Sequence, residues 1–248
     1  MHEQILTVTT PDGDMSVVAK HPDGDGPFPV VVLFHDGPGV RPSTHDVVRR
    51  VAEAGYYVVS PDRYHRNGQF VHMEPEQLFA LPQDSPEFKQ FMGMLMGTTD
   101  DMVRSDLDAL LSHLDGDNAA GPAPMGCIGY CIGARSVVRA MADHPERFKA
   151  GVGMHPSFCV SKDADSPHLG VPKSSGSFYF AWGALDKMQP VDAAKPLLEE
   201  FDKLGSRASY DIYPGADHGF AVTGGSYHAE AADQAYAKAL DLFAKTLK

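Results

Sequence analysis

The sequence predicts an α/β fold, a mostly parallel central sheet with helices on both faces, entered through an antiparallel hairpin at the N-terminus. Three observations predict it. Strand-like and helix-like runs alternate through most of the chain. "VVVLF", Val30 to Phe34, is apolar without a break, as in a strand buried on both faces. "QILTVTT" and "MSVVAK" flank "PDGD", a turn with Asp-Gly at its centre.

In chain order, "STHDVVRRVAEAG" fits a helix capped near Ser43 or Thr44 and closed by Gly55, and "YYVVS" is the next strand. "TTDDMVRSDLDALLSHLDG" carries Met102, Val103, Leu107, Leu110, Leu111 and Leu114 at helical spacing. "PMGCIGY" is a strand and "GARSVVRAMADHP" the helix after it. "FKAGVGMHP" and "SFYFAWG" are strands, "VDAAKPLLEEFDKLG" a helix, "ASYDIYPG" the last strand. "SYHAEAADQAYAKALDLFAKTLK" closes the chain as an amphipathic helix. Residues 70–97, rich in Met, Phe and Leu and punctuated by Pro75, Pro82 and Pro86, break the alternation. They read as a pair of short helices packed on the core or as a partial lid over a pocket.

The 248 residues suit a single domain, 1–248, with no linker or repeat to divide it. No run approaches the ~20 apolar residues of a membrane span. No basic segment followed by an apolar core opens the chain. Cys127, Cys131 and Cys159 fit no zinc spacing and are expected as free thiols in a reducing cytoplasm. A formal charge of −12 argues against nucleic acid or anionic lipid as a partner.

"GYCIG", residues 129–133, sets Cys131 between two glycines at a strand-to-helix junction. This is the spacing of a nucleophile elbow, a turn too sharp for Cβ atoms on its flanks, with a helix N-terminus aimed at the sulfur. An elbow predicts an acid and then a histidine, each after a later strand. Asp186 follows "FYFAWG" and His218 follows "YDIYPG", in that order.

These segments resemble the dienelactone hydrolase family of the α/β-hydrolase superfamily. The match rests on "FHDGPGV", "AGYYVVSPDRYHR", "IGYCIGAR", "WGALDKMQP" and "YPGADHGFAV", and spans nearly the whole chain. The resemblance implies an α/β-hydrolase fold, with Cys131 as nucleophile, His218 as base and Asp186 orienting the histidine. It implies an oxyanion hole at the N–H groups of Gly37 and Ile132. Asp36 takes the place of an acidic residue that activates the nucleophile in the family, where glutamate is usual, and reads equally as a turn aspartate. The family's substrate-gripping arginines are missing, since Val222 stands at one position and residues 70–95 offer only Lys89. Arg135 either replaces that charge or pairs with a carboxylate under the elbow helix. Tyr130 is a further candidate substrate contact.

The expected activity is hydrolysis of a small-molecule ester or lactone, with no metal or organic cofactor, by a monomer or dimer. A broad carboxylesterase or thioesterase, or a noncatalytic binding protein on the same scaffold, are the alternatives.

Overall fold

The computed structural model describes residues 1–68, 73–122 and 124–248. Of the expected lid segment, residues 70–72 lie outside the described residues. Eight strands form one sheet: β1 (His2–Thr10), β2 (Gly13–His21), β3 (Val30–Phe34), β4 (Tyr57–Pro61), β5 (Met125–Tyr130), β6 (Phe148–Met154), β7 (Ser177–Gly183) and β8 (Ala208–Tyr213). Their order across the sheet is β1-β2-β4-β3-β5-β6-β7-β8. The β1–β2 hairpin is antiparallel and joins β4 antiparallel, while β4 through β8 run parallel. This is the mostly parallel sheet that the alternation predicted, in the α/β-hydrolase architecture that the resemblance implied.

The unbroken apolar strands follow from burial on two sides. Val30, Val32 and Phe34 pack with α4 (Asp100–Leu114), α5 (Gly133–Asp143) and α6 (Lys195–Leu204), whose Leu107, Val137 and Phe201 share that core. Val31 and Leu33 point the other way, onto α1 (Pro42–Ala52) and α7 (Ala229–Leu247), through Val48 and Phe243. Neither face can carry a polar residue cheaply, so the alternation of a half-exposed strand disappears.

The first helix begins earlier than its serine and threonine suggest. Pro42 occupies the first turn and Arg41 stands at the N-cap, leaving Ser43 and Thr44 inside the helix. Proline is preorganised for that position because its φ is helical and its missing N–H would have no partner. Thr44 still serves the helix start, its Oγ1 accepting the Arg41 N–H at 3.2 Å.

The segment before α4 forms α2 (Pro75–Phe79) and α3 (Pro86–Gly97). Leu78, Phe91 and Met94 are buried beneath it. The same helices turn Phe79, Met92 and Leu95 toward a cavity, so core packing and cavity wall are both built by this stretch.

Helix α1 leaves β3 on one face and α5 leaves β5 on the other, and β3 and β5 are neighbours. Loops diverging at such a switch point leave a crevice at the carboxyl ends of the strands.

Candidate active site

That crevice is a cavity of about 500 Å³ whose wall includes Asp36, Gly37, Cys131, Ile132, His155 and His218. Each sits just past the carboxyl end of a parallel strand. Cys131 is held at φ 52°, in the left-handed region a cysteine rarely occupies. Its surroundings fix it there. The Cys131 N–H donates to the Met154 carbonyl at 3.1 Å, and the Ser157 N–H donates to the Cys131 carbonyl at 2.9 Å. A Cβ on Gly129 would fall on the Gly133 carbonyl, and one on Gly133 would fall on the Phe34 carbonyl, so neither position tolerates a side chain.

Asp186, after β7, is buried and accepts from His218 Nδ1 at 2.7 Å. Its second oxygen accepts the Gln189 N–H at 2.8 Å. Burial disfavours the Asp186 charge, but His218 and these loop donors outweigh it and hold its pKa below the usual carboxylate value. His218 Nε2 is buried and has no hydrogen-bond partner among the described residues. Its electrostatic neighbour is Cys131. Burial pulls the imidazole pKa down, yet the Cys131 thiolate and the Asp186 carboxylate carry it up to about 10. For Cys131 burial pushes up, while His218 and then Ser157 pull harder and leave the thiol below its ordinary value. The two shifts run in opposite directions, each group favouring the charged form of the other.

The other candidates separate. The Gly37 loop is pinned by Tyr64, whose hydroxyl donates to the Gly37 carbonyl at 2.8 Å. The N–H groups of Gly37 and Ile132 engage no backbone acceptor among the described residues. Asp36 shares the cavity wall, but both its oxygens are taken by the Arg41 guanidinium, Nη2 at 2.7 Å from Oδ2. Its charge raises the thiol pKa, opposite to the effect of an activating group.

Arg135 does not face the thiol. It binds Asp100 through two bonds of 2.7 and 2.8 Å and donates to the Phe158 carbonyl. Tyr130 is not brought to the cavity. Side chains alternate along β5, so Tyr130 points with Ile128 into the α1–α7 face. Its hydroxyl meets that of Tyr236 at 2.7 Å. Cys127 and Cys159 are buried free thiols; burial pushes Cys127 far above its normal value and Cys159 to about 12.

Four contributors are not legible from the motifs. Ser157 Oγ lies 3.5 Å from Cys131 Sγ. His155 packs edge-on against His218, ring centroids 5.0 Å apart, with both nitrogens buried and unpartnered. Burial and the neighbouring His218 keep it neutral. Arg41 lines the cavity and Glu74 stands behind it, the Arg41 Nε donating to Glu74 at 2.9 Å. "HPSF" directly after a strand is the available sequence signal for His155 and Ser157, and the structure holds His155 and Phe158 in the left-handed region at φ 38° and 57°.

The chain matches the model of the dienelactone hydrolase family over residues 15–247. It is 28% identical over 246 residues to the "Putative carboxymethylenebutenolidase" of Methylorubrum extorquens, covering 94% of this chain and 77% of that one. A Synechocystis protein of the same name is 28% identical over 254 residues, with 97% and 96% covered. The crystal structure of the "Putative Dienelactone Hydrolase" from Klebsiella pneumoniae superposes with a TM-score of 0.82 at 25% identity, covering 98% of each chain.

Proposed function

This chain belongs to the dienelactone hydrolase family, hydrolases acting on ester bonds, and we propose that it cleaves an ester or lactone through Cys131, His218 and Asp186. The observation that carries the reading is the charge-paired Cys131–His218 arrangement, with Asp186 2.7 Å behind the histidine.

The thiolate attacks the substrate carbonyl. The N–H groups of Gly37 and Ile132 receive the oxyanion, and losing one such donor typically removes roughly 3 kcal/mol of transition-state stabilisation. The protonated His218 gives its Nε2 proton to the leaving alkoxide, which departs as the alcohol and leaves a thioester on Cys131. Neutral His218 then takes a proton from water, the resulting hydroxide attacks the thioester, and the acid is released with the thiolate restored. Asp186 fixes the imidazole so that Nδ1 keeps its proton and Nε2 faces the sulfur. No step passes through Asp36, because Arg41 holds both its oxygens.

Apart from exposed Lys187, the cavity wall is largely apolar and suits an uncharged group at the reacting end. Phe79, Phe91, Met92, Leu95, Met188 and Val222 contribute to it. Its buried cation, Arg41, is already matched by Asp36 and Glu74, so a carboxylate placed there would have to displace a partner.

Hydrolysis of p-nitrophenyl acetate and of an unsaturated lactone with and without a carboxylate tests the reading. Wild type, Cys131→Ala and His218→Ala are compared under reducing conditions. Turnover of the uncharged compounds by wild type alone is the expected result. Equal rates for the three proteins would remove the triad.

A further inference from the structure

His155 is the first residue after β6, and three features of it meet beside the base. Its backbone is held at φ 38°, with its N–H donating to the Ala181 carbonyl at 2.8 Å. Its ring is boxed by Tyr130 and Phe220, each with centroids 5.9 Å away, and by His218 at 5.0 Å and 71°. Neither ring nitrogen has a hydrogen-bond partner among the described residues, and both are sealed from solvent. The turn that carries His155 also grips the nucleophile. The Met154 carbonyl accepts the Cys131 N–H, and the Ser157 N–H donates to the Cys131 carbonyl. One short turn therefore touches both members of the catalytic pair.

A phenyl ring would sit in such an aromatic box without buried polar atoms, whereas an imidazole buries two nitrogens that gain no hydrogen bond there. Packing gives no reason for a histidine at this position. Charge does. Burial, and then the positive charge of His218, hold the His155 pKa well below the ordinary histidine value, so the ring is neutral. A neutral imidazole keeps a lone pair on one nitrogen. Two cations bear on it, His218 from the loop after β8 and Arg41 from the start of α1. Tyr130, from β5, turns its hydroxyl to Tyr236.

His218 has use for a second support. Asp186 holds its ring at one atom, Nδ1, at 2.7 Å, and Asp217 accepts its backbone N–H. A ring bonded at one atom can still turn about that bond, and Nε2 has no hydrogen-bond partner among the described residues to stop it. The positive charge of His218 is met by Cys131 and by Asp186, and His155 lies across one flank of the ring. The charge of Arg41 is already met by Asp36, Glu74 and the Gly39 carbonyl. His218 is therefore the cation that the His155 lone pair is free to serve.

We propose that His155 is a positioning residue for the base: its uncharged ring walls one flank of His218, and its lone pair steadies the positive charge His218 carries while it holds the proton for the leaving alkoxide. The inference rests on the ester-hydrolase reading and deepens it, adding to Asp186 a second residue that supports the base.

The test titrates the His218 imidazole by NMR, its signal identified by its loss in His218→Gln. Wild type is compared with His155→Phe, which keeps an aromatic wall and removes the lone pair. A residue that stabilises the protonated ring raises the pH at which the proton leaves. Its removal should therefore bring the His218 midpoint down by about one pH unit, the scale of one contact to a charged group. The alkaline limb of ester hydrolysis should come down with it. The acid limb and the pH at which Cys131 alkylates should stay in place, because His218 is protonated on both sides of that ionisation. A loosened loop would move both limbs or neither. Should His155→Phe fail to fold, His155→Leu, close to histidine in volume and also without a lone pair, should give the same lowering. A His218 midpoint unmoved or raised in the variant that folds, or a Cys131 midpoint that moves with it, overturns the proposal. If wild type hydrolyses no ester, or Cys131→Ala equals wild type, while the His218 midpoint still falls, it is the ester-hydrolase reading that fails.

Discussion

Replacing Ser157 by alanine isolates one of the influences on the nucleophile. Ser157 is 1% exposed and its Oγ lies 3.5 Å from Cys131 Sγ. In the thiolate state the hydroxyl donates to sulfur, and hydrogen bonds to charged groups contribute about 1.5–3 kcal/mol. The sulfur contact is long, so the lower figure applies, and at 1.36 kcal/mol per pKa unit it raises the thiol by about one unit. At a pH below that pKa the thiolate fraction then falls about tenfold. Iodoacetamide alkylation of Cys131 across pH, with Cys127 and Cys159 buried, reads this directly. The midpoint of the Ser157→Ala profile should move up by about one unit with the alkaline plateau kept, and Ser157→Thr should restore the midpoint. An unmoved midpoint, or a plateau lost at the original midpoint, would refute a hydrogen bond to the thiolate.

Four further outcomes are expected. Ester hydrolysis should be bell-shaped. Cys131, its pKa lowered, is ionised above an acid limb that lies below the ordinary thiol value, and His218, raised to about 10, keeps the proton needed by the leaving alkoxide until an alkaline limb near that pH. His218→Gln should carry the alkylation midpoint above the normal thiol value, because burial is then opposed by the Ser157 hydroxyl without the histidine. Asp36→Ala leaves buried Arg41 with the Glu74 carboxylate and the Gly39 carbonyl and should cost about 3 kcal/mol in thermal unfolding. Tyr130→Phe should cost about 1 kcal/mol through the lost Tyr236 contact while KM stays fixed; a raised KM would return Tyr130 to the substrate.

The sheet was legible because its causes are local. A strand buried on both faces must be apolar at every position, and Val30–Phe34 shows it. A turn between two β-rich runs declares itself with Asp-Gly, and the elbow glycines are required by backbone contacts a Cβ would violate. The order Cys131, Asp186, His218 was readable for the same reason, since each residue directly follows a recognisable strand. The first helix was placed late because Ser43 and Thr44 are common caps, whereas the observed start depends on Pro42 and Arg41.

Tertiary structure decided which charges cancel and which side chains meet. Asp36 and Arg41 are close in sequence, yet only the packed loop sets them face to face with Glu74, 33 residues beyond Arg41. Arg135 turned out to be matched by Asp100, 35 residues away. Such pairings depend on distances across loops from separate strands, and no periodicity encodes them. The parity of a strand shows that Tyr130 and Cys127 point to opposite faces; only assembly shows that one face meets α7 and the other α5. The sequence by itself determined the parallel sheet, the elbow and the order of the catalytic candidates. The fold alone determined which groups oppose burial at Cys131 and His218, because burial and neighbouring charge act through space and not along the chain.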